Sequence, residues 1–336
     1  MTQTNISRAN NFFRMMQREL PVWMPATDDF PKFAPRFLPE ISAQGLIADA
    51  EPPLKDEEKG GPDMFGMVWE FVPMVGGAMI RPGNPLMEDA NDWPELVRWP
   101  DIDAWDWAGG RQRNESFIQG KNMMHKMYTG FFERLMAFMN CENALIAMID
   151  EDQHDAVQAL FERLADLYCR ILRRLKATFP EINLIYFHED WGTQLAPFFR
   201  LDVVMDLIVP PMKKVVDCTH ELGMIFQHHC CGKNEPLVPA MIAAGVDIWS
   251  GQPINDKAAL YRDYGDKLIL GIDPPPAALD PSADHASQAA AAEWFVNEYC
   301  TDYARKPCLL ESRGCNDYFR ACVEEKSAAL FAKNST

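Results

Sequence analysis

The chain has 336 residues, of which 48% are hydrophobic, and a formal net charge of −17. Its 49 acidic residues against 32 basic ones disfavour contact with a nucleic-acid backbone or an anionic membrane, so we expect neither partner. No apolar run approaches the roughly 18–20 residues that span a bilayer, and the first residues lack the apolar stretch of a signal peptide. We therefore expect a cytoplasmic protein, whose nine irregularly spaced cysteines are mostly buried thiols rather than a disulfide framework.

The first 115 residues are rich in Pro, Gly and Trp. Residues 51–63 (EPPLKDEEKGGPD) are typical of an exposed loop, and residues 67–73 (MVWEFVP) predict a short strand. We expect residues 1–115 to form an irregular cap with the first elements of the fold, and residues 116–336 to form the remainder of one structural domain. The aromatic residues of the cap could build a lid and an apolar pocket, or could simply pack in the core: Trp69, Phe71, Trp93, Trp99, Trp105 and Trp107.

Helical periodicity begins at residues 116–139, and residues 150–180 predict a long amphipathic helix with an acidic start and a basic last turn. After this helix the pattern alternates. Strands are predicted at 182–187, 224–229, 246–250, 267–273 and 307–312, and helices at 202–222, 235–245, 256–265 and 287–300.

Continuous apolar strands that alternate with helices predict a parallel sheet in an α/β protein. The number of successive βα units favours a closed (β/α)8 TIM barrel, with an open doubly wound sheet as the alternative. The glycine-rich G-x-G-x-x-G and G-x-x-x-x-G-K-[ST] patterns that accompany many open sheets are absent.

Polar residues follow successive predicted strands, at the end of a barrel where chemistry takes place. They are His188, Glu189 and Asp190; His228, His229, Cys230 and Cys231; Gln252; Asp273; and Cys315. Glu189 and Asp190 are either a solvated pair or a binding or acid/base pair, because they come directly after a buried strand.

His229 and Cys231 stand two residues apart at a strand end, so their side chains should project to the same side. Gly232 then lets the backbone turn away. A nitrogen and a sulfur ligand together suit zinc, which needs a third ligand from elsewhere, and Cys315 is the candidate. Without such a third ligand, the short H-x-C pattern is equally compatible with chance.

His228 and Cys230 should face the other way and pack behind the rim. A redox pair is disfavoured, because the adjacent Cys230 and Cys231 suit a relaxed disulfide poorly and the chain has no C-x-x-C. The remaining histidines are individually typical of structural or surface positions: His125, His154, His188, His220 and His285.

Three segments together resemble the uroporphyrinogen decarboxylase superfamily, whose members are (β/α)8 barrels. They are residues 188–199 (HEDWGTQLAPFF), residues 211–253 (from PMKKVVD to SGQP) and residues 268–275 (LILGIDPP). The resemblance extends over about residues 132–322. Within the superfamily, the H-x-C of His229 and Cys231 and the distant Gly314-Cys315 are similar to the zinc-dependent, corrinoid-linked methyltransferases. Cobalamin-independent methionine synthase has a comparable His, Cys, Glu, Cys arrangement, but its glutamate would fall at or beside Gln252 here.

The resemblance implies a zinc-dependent methyltransferase that moves a methyl group between an O-methylated, aromatic substrate and the cobalt of a corrinoid protein. It implies Zn²⁺ at His229, Cys231 and Cys315, and a partner protein that carries methylcobalamin or cob(I)alamin. Glu189 and Asp190 are then the catalytic candidates, and His188, Gln194, Trp249, Gln252 and Asp273 are the substrate-binding candidates.

Three alternatives stay open. One is a coenzyme M type methyltransferase, which moves the methyl group from the cobalt to a thiol. Another is a metal-free, decarboxylase-like lyase, although a porphyrinogen with many carboxylates calls for a basic cleft that this acidic chain hardly supplies. The third is a barrel that binds a ligand without catalysis.

Overall fold

The structure is a computed structural model that describes residues 6–74 and 76–334. Its strands are β1 Lys32–Phe33, β2 Gly60–Pro62, β3 Val68–Val72, β4 Gly77–Ile80, β5 Met123–Met127, β6 Ile182–His188, β7 Ile225–Cys230, β8 Ile248–Gly251, β9 Ile269–Ile272 and β10 Cys308–Leu310.

The α-helices are α1 Arg8–Met16, α2 Pro39–Gln44, α3 Trp93–Leu96, α4 Trp107–Ile118, α5 Phe131–Ala147, α6 His154–Thr178, α7 Leu201–Val203, α8 Val209–Glu221, α9 Val238–Ala243, α10 Lys257–Tyr264, α11 Pro276–Leu279, α12 His285–Tyr299 and α13 Asp317–Asn334. Short 3-10 turns lie at Asp56–Glu58, Ala90–Asp92, Ile102–Ala104 and Glu235–Leu237, and a π-helical turn lies at Val204–Ile208. No helix in the described part of the chain combines the length and the apolar character needed to cross a bilayer.

The chain divides into two compact units. The central unit is Pro31–Val246, and the terminal unit joins the residues before Pro31 to those from Asp247 onward. In the central unit, β1, β5, β6 and β7 pair in that order, all parallel, and β2, β3 and β4 form a separate antiparallel sheet. In the terminal unit, β8, β9 and β10 also pair in parallel. The expected α/β class with parallel strands is therefore confirmed.

The long helix predicted at 150–180 is α6, which packs an apolar face into the central unit through side chains such as Leu164, Tyr168 and Leu172. The helix predicted at 202–222 is divided into α7, the π-helical turn and α8. Pro210 and Pro211 stand at the start of α8 and cannot donate to the preceding turn, so the regular i→i−4 ladder is interrupted there.

The helical periodicity assigned to 116–139 is wrong in its middle, where strand β5 lies between α4 and α5. Gly120 has a φ of +71° and allows the turn out of α4, a conformation that a side chain disfavours. The strand contains three methionines, which favour helix as readily as strand, so its sequence carries no clear period of two.

The predicted strand at 67–73 is confirmed as β3. The first elements of the fold, which were expected in residues 1–115 without assigned positions, include α1, β1 and α2. Trp93 and Trp107 of this region are buried, and the Trp107 indole donates to the carbonyl of Ile102 at 2.7 Å.

A buried ion cluster fixes α5 within the central unit. The Arg134 side chain is fully buried and donates to Asp63 at 2.5 Å and to Glu40 at 2.6 Å. Glu40 also accepts from the Thr129 hydroxyl at 2.6 Å. Because charges this deep are costly unless they are paired, the cluster ties α5 to the segments that carry Glu40 and Asp63.

Candidate metal centre

Strands β6 and β7 bring two histidines side by side at their carboxyl ends. His188 and His229 are register partners in the parallel ladder, and their ring centroids are 5.2 Å apart. Cys231 follows directly, with its Sγ 3.4 Å from Nε2 of His229. One ligand atom from each of these three residues lies within 4.8 Å of the others. We call His188, His229 and Cys231 the donor trio.

Side chains alternate in direction along β7 and the residue after it. His228 and Cys230 therefore point into the core, and His229 and Cys231 point the other way, as predicted. His228 and Cys230 are fully buried. The His228 ring packs 4.8 Å from the ring of Trp191, and the Cys230 sulfur accepts from the Asn234 side-chain amide at 3.0 Å. Burial lowers the pKa of His228 to about 3, so this imidazole is neutral.

Gly232 makes the turn after Cys231 possible. Its φ is +98°, and a Cβ at this position would lie 2.4 Å from the carbonyl carbon and oxygen of Gly192. A side chain is excluded both by the backbone conformation and by this close approach. The predicted turn is therefore confirmed, and the loop after β6 lies directly against the end of β7.

Two carboxylates flank His188. Glu133 Oε1 lies 3.1 Å from its Nδ1, and Asp190 Oδ1 lies 3.8 Å from its Nε2. Asp190 also accepts from the backbone N–H of Cys231 at 2.7 Å, which ties the β6 loop to the donor trio. A carboxylate on one imidazole nitrogen orients the ring and makes the other nitrogen a better metal ligand.

The charges around the donor trio influence its protonation. Burial alone would lower the pKa of His188, but the charge of Glu133 and hydrogen bonds to Cys231 and Glu133 raise it well above its ordinary value. Burial raises the pKa of the Cys231 thiol. Two nitrogens and one sulfur, with carboxylates behind them, form a donor set suited to zinc, whose binding would release these protons.

Glu189 has a different position from its neighbour Asp190. Its carboxylate is buried and accepts from the backbone N–H of Phe132 at 2.5 Å, at the first turn of α5. Burial raises the pKa of Glu189 to about 8. Gln194, the substrate-binding candidate of the same loop, is exposed.

The other predicted residues belong to the terminal unit. Trp249 is fully buried, which places it in the core, and Gln252 is half-buried. Asp273 pairs with the buried ammonium of Lys257 at 3.1 Å. Cys315 is half-buried, and burial raises the pKa of its thiol to about 11.

The sequence did not predict that Glu133 lies beside the candidate metal ligands, and it did not predict His188 as one of those ligands. Glu133 was hidden because β5 was taken as helix, so the start of α5 at the end of a strand could not be recognised. The sequence gives no sign that His188 lies beside His229, because that position follows from the β6–β7 register. Tyr186, two residues before it on the same strand face, stacks on the His229 ring at 5.5 Å.

No model of a known protein family matches this chain, and no curated protein matches it.

Proposed function

We propose that the protein is a zinc-dependent methyltransferase that moves a methyl group from an O-methylated aromatic substrate to the cobalt of a corrinoid protein. The observation that carries this proposal is the donor trio, with its ligand atoms within 4.8 Å of one another. The reaction class comes from the resemblance of residues 188–199, 211–253 and 268–275 to the uroporphyrinogen decarboxylase superfamily, and of His229, Cys231 and Gly314-Cys315 to its corrinoid-linked methyltransferases.

The geometry of the donor trio supports zinc as the metal. With bonds of about 2.0–2.3 Å, tetrahedral zinc holds its ligands about 3.5 Å apart. The 3.4 Å between His229 Nε2 and Cys231 Sγ agrees with that spacing. Three protein ligands would leave one position for a substrate atom, as catalytic zinc sites require. When bound, zinc acts as a Lewis acid that makes the ether oxygen a better leaving group.

The surrounding side chains have distinct parts in this proposal. Glu133 orients His188, and Asp190 accepts from the Cys231 backbone N–H while its half-exposed carboxylate stays a candidate for orienting the substrate. Glu189 is a positioning residue that fixes the start of α5. In the overall exchange, the electrons of the broken carbon–oxygen bond would stay on the ether oxygen, and the corrinoid carried by the partner protein would supply the electron pair of the new carbon–cobalt bond.

The proposal includes the fold and the partner that the sequence suggests. Parallel strands with intervening helices in both units, and a donor trio at strand ends, support a closed (β/α)8 barrel. A separate corrinoid protein would bring cobalt to the bound methyl group. Cys315, which the sequence predicted as the third ligand, stays a proposed alternative to His188 in that position, and its Cys315→Ser variant belongs in every metal measurement.

The reaction is tested directly with purified, zinc-loaded protein, cob(I)alamin and 3-methoxybenzoate. We expect the absorption spectrum of methylcobalamin to appear and the phenol product to accumulate in equal amount. His229→Ala and Cys231→Ser should lower the rate by at least about 100-fold, because metal ligands and their supports commonly matter this much. His228→Leu, whose side chain faces the core, is the matched control.

Two other outcomes would redirect the proposal. Consumption of methylcobalamin with a thiol, and no reaction with the ether, would identify the thiol-methylating alternative. Decarboxylation of a porphyrinogen by metal-free protein would identify the lyase. Formation of methylcobalamin at the same rate in the Cys231→Ser variant would contradict the role of the donor trio.

A further inference from the structure

Two cysteines face each other across the contact between α6 and α8 in the central unit. The Sγ of Cys169 on α6 lies 3.6 Å from the carbonyl oxygen of Lys214, which stands one turn before Cys218 on α8. The Sγ of Cys218 lies in turn 3.8 Å from the carbonyl oxygen of Cys169. Each sulfur thus reaches the backbone of the opposite helix, and the two thiols are hydrogen-bond partners of each other.

The two cysteines line a cleft of about 540 Å³ between the helices. The charged side chains of the cleft are of both signs, three basic and three acidic: Arg173, Lys213, Lys214, Asp166, Asp217 and Glu221. They pair with one another, as in the contact of Lys214 with Asp166 at 2.8 Å and of Lys213 with Asp217 at 2.8 Å. A small neutral molecule can therefore approach the sulfurs without a large electrostatic penalty.

The hydrogen bond between the thiols gives the two sulfurs different reactivity. It favours the thiolate of Cys218 and lowers the pKa of this thiol to about 7. The same hydrogen bond holds the proton on Cys169 and raises the pKa of that thiol. Because the thiolate is the nucleophile in disulfide exchange, Cys218 is suited to attack first, and Cys169 is suited to resolve the product.

We propose that Cys169 and Cys218 are a reversible modification site, at which exchange with a small neutral disulfide joins α6 to α8 through a protein disulfide. The inference is independent of the proposed methyl transfer, since neither cysteine belongs to the donor trio. Both are free thiols in the structure, so the reduced form is the one described.

The exchange has two steps. The Cys218 thiolate attacks one sulfur of the small disulfide and breaks its S–S bond, and the departing half takes a proton and leaves as a thiol. Cys169 then gives its proton to solvent and attacks the Cys218 sulfur, which releases the second half as a thiol. Two protein thiols are oxidised, and one small disulfide is reduced to two thiols.

The test treats the folded, full-length protein with 2-hydroxyethyl disulfide, blocks the remaining thiols by alkylation and maps the peptides by mass spectrometry. We expect a pair of peptides joined through Cys169 and Cys218, which dithiothreitol separates. Cys169→Ser should stop at a stable mixed disulfide on Cys218, because the resolving thiol is gone. Cys218→Ser should slow modification of Cys169 by at least about tenfold, because the more acidic thiol is gone.

Cys141→Ser is the matched control. Cys141 is an exposed thiol on α5, away from the contact between α6 and α8, and its replacement should leave the link unchanged. Circular dichroism verifies that each serine variant is folded.

Three results would overturn the inference. One is a folded parent that yields no peptide pair joined through Cys169 and Cys218. Another is a link that forms only between other cysteines. The third is modification of Cys169 in folded Cys218→Ser at the rate seen for Cys218 in Cys169→Ser, since the thiols would then not differ in reactivity.

Discussion

Replacement of Arg134 by methionine should destabilise the protein severely. The guanidinium is fully buried and donates to Asp63 at 2.5 Å and to Glu40 at 2.6 Å. It also lies 4.7 Å from the ring centroid of Phe65. Methionine fills similar space but leaves two buried carboxylates without their cation. Breaking a buried pair from one side costs about 3–5 kcal/mol, and we expect Arg134→Met to lower the free energy of unfolding by that amount.

Urea unfolding followed by tryptophan fluorescence and circular dichroism measures this change. Arg173→Met is the control, because Arg173 and Glu221 are both mostly exposed and their closest atoms are 3.8 Å apart. Such a surface pair contributes about 1 kcal/mol or less. If Arg134→Met and Arg173→Met unfolded within about 1 kcal/mol of each other, the argument that the buried cluster anchors α5 would be refuted.

Two further changes test the packing of the central unit. Burial raises the pKa of Glu40 from 4.5 to about 7, so the folded state holds this proton more tightly than the unfolded state, and stability should fall as pH rises from about 4.5 through 7. At about 1.4 kcal/mol per pH unit, the loss of stability over this range is on the order of 3 kcal/mol. Glu40→Gln should abolish this part of the pH dependence of the free energy of unfolding, measured by urea unfolding. A pH dependence that is the same in Glu40→Gln and the parent would contradict the assignment of this loss to Glu40. Gly232→Ala should lower the free energy of unfolding by more than about 2 kcal/mol, because strain at φ +98° adds to a clash with Gly192. Gly223→Ala is the control, because Gly223 has a φ of +70° but open space around it, so only the backbone strain of about 1 kcal/mol is expected there. If both variants lost the same free energy of unfolding in a urea melt, the predicted clash of a Cβ at position 232 with Gly192 would be refuted.

Local patterns were sufficient for the elements whose hydrophobic period was regular. Helix α6 and strand β7 were predicted because a period of 3.6 and an apolar run ending in H-x-C are readable over short distances. The opposite directions of His228 and His229 followed from the same alternation. These predictions needed no knowledge of the partners across the sheet.

The features that the sequence did not predict depend on contacts between residues that are far apart in the chain. Arg134 finds its two carboxylates 71 and 94 residues earlier in the chain, a relation that no local pattern carries. Strand β5 was missed because Met, His and Lys favour no period of two, and the position of Glu133 in the helix after this strand was missed with it. His188 joined the donor trio only through the register that sets it beside His229.

The most direct measurement of the central claim is the zinc content of the purified protein without added metal, in the parent and in two neighbouring variants. We expect about one zinc per chain in the parent, a sharp loss in Cys231→Ser, and an unchanged content in folded Cys230→Ser, because Cys230 faces the core. Cys315→Ser, measured beside them, reports whether that thiol belongs to the donor set. A parent that holds no zinc even after incubation with Zn²⁺, or equal zinc in Cys231→Ser and Cys230→Ser, would contradict the account.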